Sequence, residues 1–521
     1  MKKRGTIPRK IKGFRDIDAD LNEMRQRIIQ AAAKVYRSYG FEHWDTPVLE
    51  YADALGKFMP DEETVDQGVY NFKNPEEEPI LGEDGKELRD AGAKAIMEHQ
   101  ALAMRYDLTA PLARVYAERL WDDVKRGQIM ESNARLFRRF QYGPVYRYEM
   151  KLAPGRFREF WQIDFDSVGT KDVAADAEAC MILSDALQAI GLDKSTFIVK
   201  VNNRKVLKGF LFSIGIDDDE KEGAVLRVID KLDKIGWENV ELELAAGRTD
   251  TSGAAIAGLN LPADLIGKII SFLKIATGIK GRKEVIEKLE KLVAGNELAE
   301  EGIAELKKMD AMWEALGFDE SSIVFDPTLM RGMAYYTGPV FEVESLLTFK
   351  DKRGKTRKVG SICGGGRYDG LVKNLLGLRV PATGASIGVD RLAALLQMAN
   401  DEKVKAEGPV FIAYFDDSLQ TKYYEMAKEL RQAGMDVEVY CGYFKGFRKM
   451  KKQMSYADKK NCPAVILLGE DEAKKGVVTV KNLKLGKELS KTISDKKEWI
   501  AKVQKEIPMD GLVEYMKANF A

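Results

Sequence analysis

One segment restricts the fold of this chain more than any other: RRFQYGPVYRYEMKLAPGRFREFWQIDFDSVG, residues 138–169. It reads as two strands joined by a Pro-Gly turn, and along it stand Arg147, Glu149, Arg156, Arg158, Gln162, Asp164 and Asp166. Such a dense array of donors and acceptors on a rigid support suits a small polar ligand carrying phosphate. Asp166 follows Gln162 at an even offset, which places both side chains on one face of a strand. A second polar and aromatic segment, LMRGMAYYTGPVFEV, is centred on Arg331.

At 521 residues the chain is too long for one core, and about three domains are expected. A hydrophobic fraction of 45% is ordinary for globular protein. No apolar run approaches the roughly 18 residues needed to span a bilayer, and the basic start MKKRGTIPRKIKG lacks the apolar core of a signal peptide. A cytoplasmic location without membrane contact is the expectation. Cys180, Cys363, Cys441 and Cys462 lie far apart, with no metal or disulfide spacing. The 82 basic residues balance 82 acidic ones, so nucleic-acid contact should be patchy rather than general. With only two histidines, His43 and His99, a Ser/His/Asp triad or a multi-histidine zinc site is disfavoured. Catalysis must lean on arginine, carboxylates and metal.

Leu21, Met24, Ile28, Ile29, Ala32 and Val35 recur at helical spacing, which predicts a helix over 18–40 closed by Gly40. Strand-like FEHWDTPVLEY follows. Residues 74–99 are charged, with prolines and glycines in their first half, and read as a surface insertion without assignable chemistry. From 217 to about 318 the chain is rich in helix formers with repeated i,i+4 charge pairs, as a helical insertion would be. The polar stretch QMANDEKVKAEGP reads as a linker. Beyond it strand and helix alternate, which predicts a small α/β domain with a mostly parallel sheet. Within that domain residues 445–460 are strongly basic, and CGYFKGFRKMKKQ interleaves Tyr443, Phe444 and Phe447 with Lys445 and its neighbours. That pattern fits stacking on bases and holding phosphates, or equally a row of aromatics in the core.

Residues 138–169 resemble motif 2 of class II aminoacyl-tRNA synthetases, and residues 331–336 resemble the RG-x-x-YY signature of the histidyl-tRNA synthetase family. Further similar strings run in order along the chain: KGFRDI, YGFEHWDTPVLEY, MRYDLTAPLARVYAE, GGGRYDGL, GASIGVDRL and KGFRKMKKQMSYADKKNCPAVILLGEDE. The resemblance implies an α/β chain whose α+β catalytic domain is an antiparallel sheet flanked by helices. On this division 1–216 and 321–398 are the two parts of the catalytic domain, 217–320 a helical insertion domain, and 408–521 an anticodon-binding domain. It implies histidine activation by ATP, with Mg²⁺, to histidyl adenylate, then transfer to the 3′ end of tRNA(His) with release of AMP and pyrophosphate. Helix and strand around Pro47 resemble motif 1, which implies a two-fold homodimer.

By the same resemblance Arg147 holds the α-phosphate, and Arg331 bridges the substrate carboxylate and that phosphate. Guanidinium suits both tasks, being planar, always charged and able to bind two oxygens. Arg391 takes the γ-phosphate, and Glu149 and Arg156 lie near adenine and the bent triphosphate. Asp107, Thr109 and Gln162 hold the α-amino group, Asp166 and Tyr336 meet the ring nitrogens of the imidazole, and Leu108, Tyr335 and Tyr368 complete the histidine pocket. GGGRYDGL lines the amino-acid pocket in the family, although a plain glycine-rich turn is the other reading of those residues. Tyr443, Phe444, Lys445 and Phe447 are the candidates for tRNA contact, and the resemblance names no protein ligand for Mg²⁺.

The chain departs from the family at several points. Met333 and Ala334 stand where the signature usually has Leu-Asp, the turn MKLAPGRF differs from the common bacterial form, and DFDSVG is closer to the eukaryotic-like branch. Trp161 has no functional account in the sequence alone. Two other functions are weighed: a non-catalytic histidine-binding regulatory paralogue, and a related class II synthetase for another amino acid. Paralogues of the first kind lack the C-terminal domain and the Arg331 signature. The second is opposed by the paired tyrosines and Asp166.

Overall fold

Apolar side chains at three- and four-residue spacing drive the first element, α1 (Ala19–Ser38), which buries Ile28, Ile29, Ala32, Ala33 and Tyr36. Gly40, at φ +82°, ends it, and the Phe41 N–H donates to the Tyr36 carbonyl. This computed structural model describes all residues except 1–6, 53–67, 81, 83–85, 91, 129–134, 151, 153–155, 251–252, 280, 331–335, 351–353, 355, 371, 400–404, 443–448, 494 and 521. The chain divides into two units, Met1–Ile17 with Arg25–Glu402, and Asp18–Met24 with Lys403–Ala521.

An eight-stranded sheet organises the first unit. Its strands are β1 (Glu42–His43), β2 (Phe137–Tyr146), β3 (Glu159–Val168), β4 (Phe197–Asn203), β5 (Ile323–Phe325), β6 (Pro339–Lys350), β7 (Thr356–Arg367) and β8 (Ala382–Gly388). They run in the order β1-β2-β3-β8-β7-β6-β4-β5. The inner pairings are antiparallel, as expected, but both edge strands pair in parallel, β1 with β2 and β5 with β4. Register brings three rows together: Arg139, Asp166, Gly384 and Gly366; Gln141, Asp164, Ser386 and Gly364; and Gly143, Gln162 and Gly388.

Gly364, Gly365 and Gly366 lie inside β7, so the glycine run is a strand and not a turn. Glycine is ordinarily disfavoured in strands. Here a Cβ at Gly384 would meet Asp166 Oδ1 at 2.3 Å, and one at Gly366 would meet the Tyr336 ring at 2.9 Å. The glycines clear a floor over which other side chains lie.

Helices α2 (Thr109–Lys125) and α3 (Ala174–Ile190) flank this sheet. After α4 (Arg204–Ser213), the stretch of helix formers folds into α5 (Asp219–Ile229), α6 (Leu232–Leu244), α7 (Ala263–Leu273), α8 (Arg282–Val293) and α9 (Glu297–Ala315), with a short hairpin between Gly247–Thr249 and Ala255–Ala257. Helix α9 packs on α3, where the indole of buried Trp313 donates to the Ala177 carbonyl at 3.0 Å. Buried Arg282 bonds Asp310 and the carbonyls of Asp319 and Ile323, tying α8, α9 and β5 together. Within residues 74–99, Glu78–Pro79 pairs with Met97–Glu98 as a small ribbon. Finally α10 (Val389–Ala399) leaves β8 directly.

The second unit holds β9 (Val410–Ile412), α11 (Gln420–Gln432), β10 (Val437–Val439), α12 (Met450–Lys459), β11 (Ala464–Leu467), β12 (Val477–Asn482) and β13 (Gln504–Pro508). Strand order is β10-β9-β11-β12-β13. The first three strands are parallel, β12 joins antiparallel, and β13, antiparallel to β12, runs with the first three again, so the sheet is mixed with one strand reversed. A parallel return needs a crossover of a dozen or so residues. The helix between β11 and β12 is only Glu470–Lys475. Buried Gln453 on α12 bonds both the N–H and the carbonyl of Tyr414, fixing that helix beside β9.

Candidate active site

Alternation along β3 turns Gln162, Asp164 and Asp166 to one face. Asp164 and Asp166 are enclosed, at 3% and 2% exposure. Burial of charge is tolerated only with partners. From the opposing row Arg139 brings Nη2 to 3.0 Å from Asp166 Oδ2, and the same nitrogen donates to the Leu108 carbonyl at 2.6 Å. The Tyr368 hydroxyl donates to Asp166 Oδ1. Gln162 Nε2 donates to the Ser386 hydroxyl at 2.6 Å. Among the described residues Gln162 Oε1 and Asp164 Oδ1 have no hydrogen-bond partner.

Electrostatics follow from this enclosure. Burial, then the neighbouring Asp166 charge, pushes the Asp164 carboxyl up to about 7. Burial also raises Asp166, against which the Arg139 charge and the Tyr368 hydrogen bond act. Asp107 Oδ1 accepts the N–H groups of Thr109 and Ala110, at 3.0 and 2.9 Å, satisfying first-turn donors of α2. Leu108 is fully buried, and its carbonyl accepts from Arg139 beside the site. The Tyr336 ring lies over Gly366, and its carbonyl accepts from Arg204.

Beside this floor opens a cleft of about 230 Å³ lined by Arg147, Glu149, Arg156 and Arg391, together with Gln162 and Ser386 of the floor. Gln162 and Ser386 thus belong to both the floor and the cleft wall. Arg147 stands just past β2, donates through Nε to the Tyr106 carbonyl at 3.1 Å and lies over the Tyr106 ring at 4.4 Å. Arg156 is exposed and 4.0 Å from Glu149. Arg391 lies in the first turn of α10, just past the end of β8. Arg158, part of the same polar array, braces the backbone instead: its guanidinium covers the Tyr148 ring and donates to the Glu149 carbonyl. Among the described residues no group of three or more His, Cys, Asp or Glu could hold a metal by itself.

Arg331 and Tyr335 lie outside the described residues, as do Tyr443, Phe444, Lys445 and Phe447. Sequence reasoning missed Arg139 and Ser386. Both face the site only through strand register, although the even spacing of Arg139 from Gln141 was a usable signal. Trp161 now has a role, because its N–H donates to Asp390 and its ring lies under the Arg25 guanidinium.

An antiparallel sheet whose hairpin carries a carboxylate floor and an arginine-lined cleft, closed by a strand-to-helix arginine, defines a class II aminoacyl-tRNA synthetase. The family model described as histidyl-tRNA synthetase matches residues 76–392, and the one described as anticodon binding domain matches 409–519. A histidine–tRNA ligase of a Ruegeria species is 41% identical over 506 residues, 96% of this chain and 94% of that one. One from Caulobacter vibrioides is 39% identical over 97% of this chain and 95% of its own. The crystal structure of histidyl-tRNA synthetase from a Nostoc species superposes with a TM-score of 0.70 at 26% identity, over 99% of this chain and 100% of that one. This chain belongs to the histidyl-tRNA synthetase family.

Proposed function

We propose that the enclosed floor takes histidine and the arginine-lined cleft takes ATP, so that the two meet where Gln162 and Ser386 are shared. The activity is that of a histidine–tRNA ligase. A histidine carboxylate oxygen attacks the α-phosphorus of ATP, forming a P–O bond as the bond to the pyrophosphate bridging oxygen breaks. The acyl group then passes to the 3′-terminal ribose of tRNA(His), with AMP leaving. The sharing of Gln162 and Ser386 by floor and cleft supports this reading, since activation requires the two reactants in line and within contact.

Asp166 and Tyr368, with Tyr336 above the glycine floor, meet the ring nitrogens of the imidazole. Asp107, Thr109 and Gln162 hold the α-ammonium, and Leu108 sets the backbone beside them. A buried hydrogen-bonding pocket of this kind rejects analogues lacking the partner by roughly 10⁴-fold or more, without editing. Arg147 stabilises charge building on the α-phosphate, Arg391 holds the γ-phosphate, and Glu149 and Arg156 meet adenine and the bent triphosphate. Arg331 and Tyr335 are assigned from the RG-x-x-YY signature alone. Mg²⁺, bound chiefly by the phosphates, would neutralise their charge, and Glu149 is the cleft carboxylate suited to reach it. The C-terminal unit reads the tRNA, with the basic segment around Lys445 as its contact.

The chain works as a two-fold homodimer in the cytoplasm; no helix among the described residues is long and apolar enough to cross a membrane. ATP–pyrophosphate exchange driven by each of the twenty amino acids, on wild type and Arg331→Ala, tests the reading. Exchange with histidine alone, abolished by the substitution, is expected. Exchange with none would favour a histidine-binding paralogue, and exchange with another amino acid would reassign the pocket. Size-exclusion chromatography with light scattering tests the dimer.

A further inference from the structure

The segment KGFRD, residues 12–16, takes no part in the chemistry above, yet it lies along the entry to β3. Gly13, at φ +89°, accepts the Arg158 N–H at 2.9 Å, and a Cβ there would stand 2.6 Å from Arg158 Cγ. The Phe14 ring meets Tyr70 edge-on at 5.9 Å and stacks on Tyr146 at 6.4 Å. Arg15 then lies over the Phe157 ring at 3.3 Å and donates from Nη2 to Asp390 Oδ1 at 3.0 Å. Arg25 of α1 donates to the same oxygen at 2.8 Å, and the Trp161 N–H to Oδ2 at 2.6 Å.

Asp390 immediately precedes Arg391 and lines the cleft. A carboxylate in the wall of a triphosphate site is a problem of sign, because like charges repel strongly where water is scarce. Two guanidiniums on one carboxylate reverse that sign locally. We propose that Arg15 is a positioning residue of the ATP cleft: through Asp390 it sets the start of α10 and hence Arg391, and with Arg25 it makes that wall net positive. This rests on the cleft being the ATP site. Arg15 is the member of the triad that can be probed cleanly, since its side chain is 25% exposed, whereas Arg25 is buried at 7%.

The test is ATP–pyrophosphate exchange on wild type, Arg15→Ala and Arg15→Lys, with thermal melting of each. Loss of one partner of an enclosed charge pair predicts an ATP KM about tenfold higher or more in Arg15→Ala, with the histidine KM within about twofold. Arg15→Lys, which keeps the charge, is expected to recover most of the ATP affinity. Equal rises in both KM values with a large drop in Tm would reduce Arg15 to a fold staple and overturn the proposal, as would unchanged kinetics. If wild type exchanges with no amino acid, the assignment of the activity fails instead. Calorimetric titration of ATP into the three proteins then decides: weaker binding in Arg15→Ala supports the proposal, and equal or absent binding in all three overturns it.

Discussion

Asp164 and Asp166 sit inside the sheet and are enclosed on every side, whereas Arg147, Arg156 and Arg391 stand at a strand end, a loop and a helix start around an open cleft. On the proposed assignment, with histidine on the floor and ATP in the cleft, the difference follows from what each would bind. An imidazole offers two ring nitrogens and little charge, so it is told from other side chains only where unmet hydrogen bonds are costly, which means in a dry place. A triphosphate carries enough charge to be held by guanidiniums that remain partly wet. The floor is accordingly built from strand register and the cleft from element ends.

Substitutions can break or sharpen that contrast. The largest effect is expected from Gly384→Ala, because the new Cβ would stand 2.3 Å from Asp166 Oδ1 and 2.5 Å from the Phe165 carbonyl oxygen. Histidine-dependent exchange should be lost, with a stability cost of about 1–3 kcal/mol in denaturant unfolding. Next comes Asp166→Asn, which preserves shape but removes the charge facing Arg139. Its kcat/KM for histidine should fall roughly 10²–10³-fold while the ATP KM holds steady. An equal rise in the ATP KM would show that floor and cleft are not separable.

Arg391→Ala should do the converse, raising the ATP KM about tenfold and leaving the histidine KM alone. The smallest effect concerns pH. Asp164 is raised from its ordinary 3.8 to about 7, chiefly by burial, so the folded chain holds this proton more tightly than the unfolded one. Its stabilising contribution is therefore full at acid pH and is lost as pH rises through about 7. Asp164→Asn, which cannot ionise, should flatten that part of the Tm-against-pH curve. An unchanged curve would mean that Asp164 titrates as an ordinary carboxyl.

Much of the floor was legible beforehand. The even offset from Gln162 to Asp166 located one face of a strand, and the apolar rhythm before Gly40 located α1. Arg139 was not legible, because its place opposite Asp166 depends on register across the connection between β2 and β3. Glycine's poor strand propensity left a turn open for residues 364–366, and only their cross-sheet neighbours show why a strand needs glycine there. Local propensity likewise carried no sign of β12 running against the other strands of the C-terminal sheet.

Residue types, their order and short-range spacing determined by themselves which chemistry this protein carries, because guanidiniums, carboxylates and paired tyrosines have their properties wherever the chain places them. They also determined the local elements, since helical and strand periods are written within a few residues. The tertiary structure alone decided which charges meet. Arg15 and Arg25 reach Asp390 across most of the length of the catalytic unit, and Asp164 becomes a weak acid only when the sheet closes around it. Burial and charge pairing are properties of distance in space and of the loss of water, and neither is set by distance along the chain.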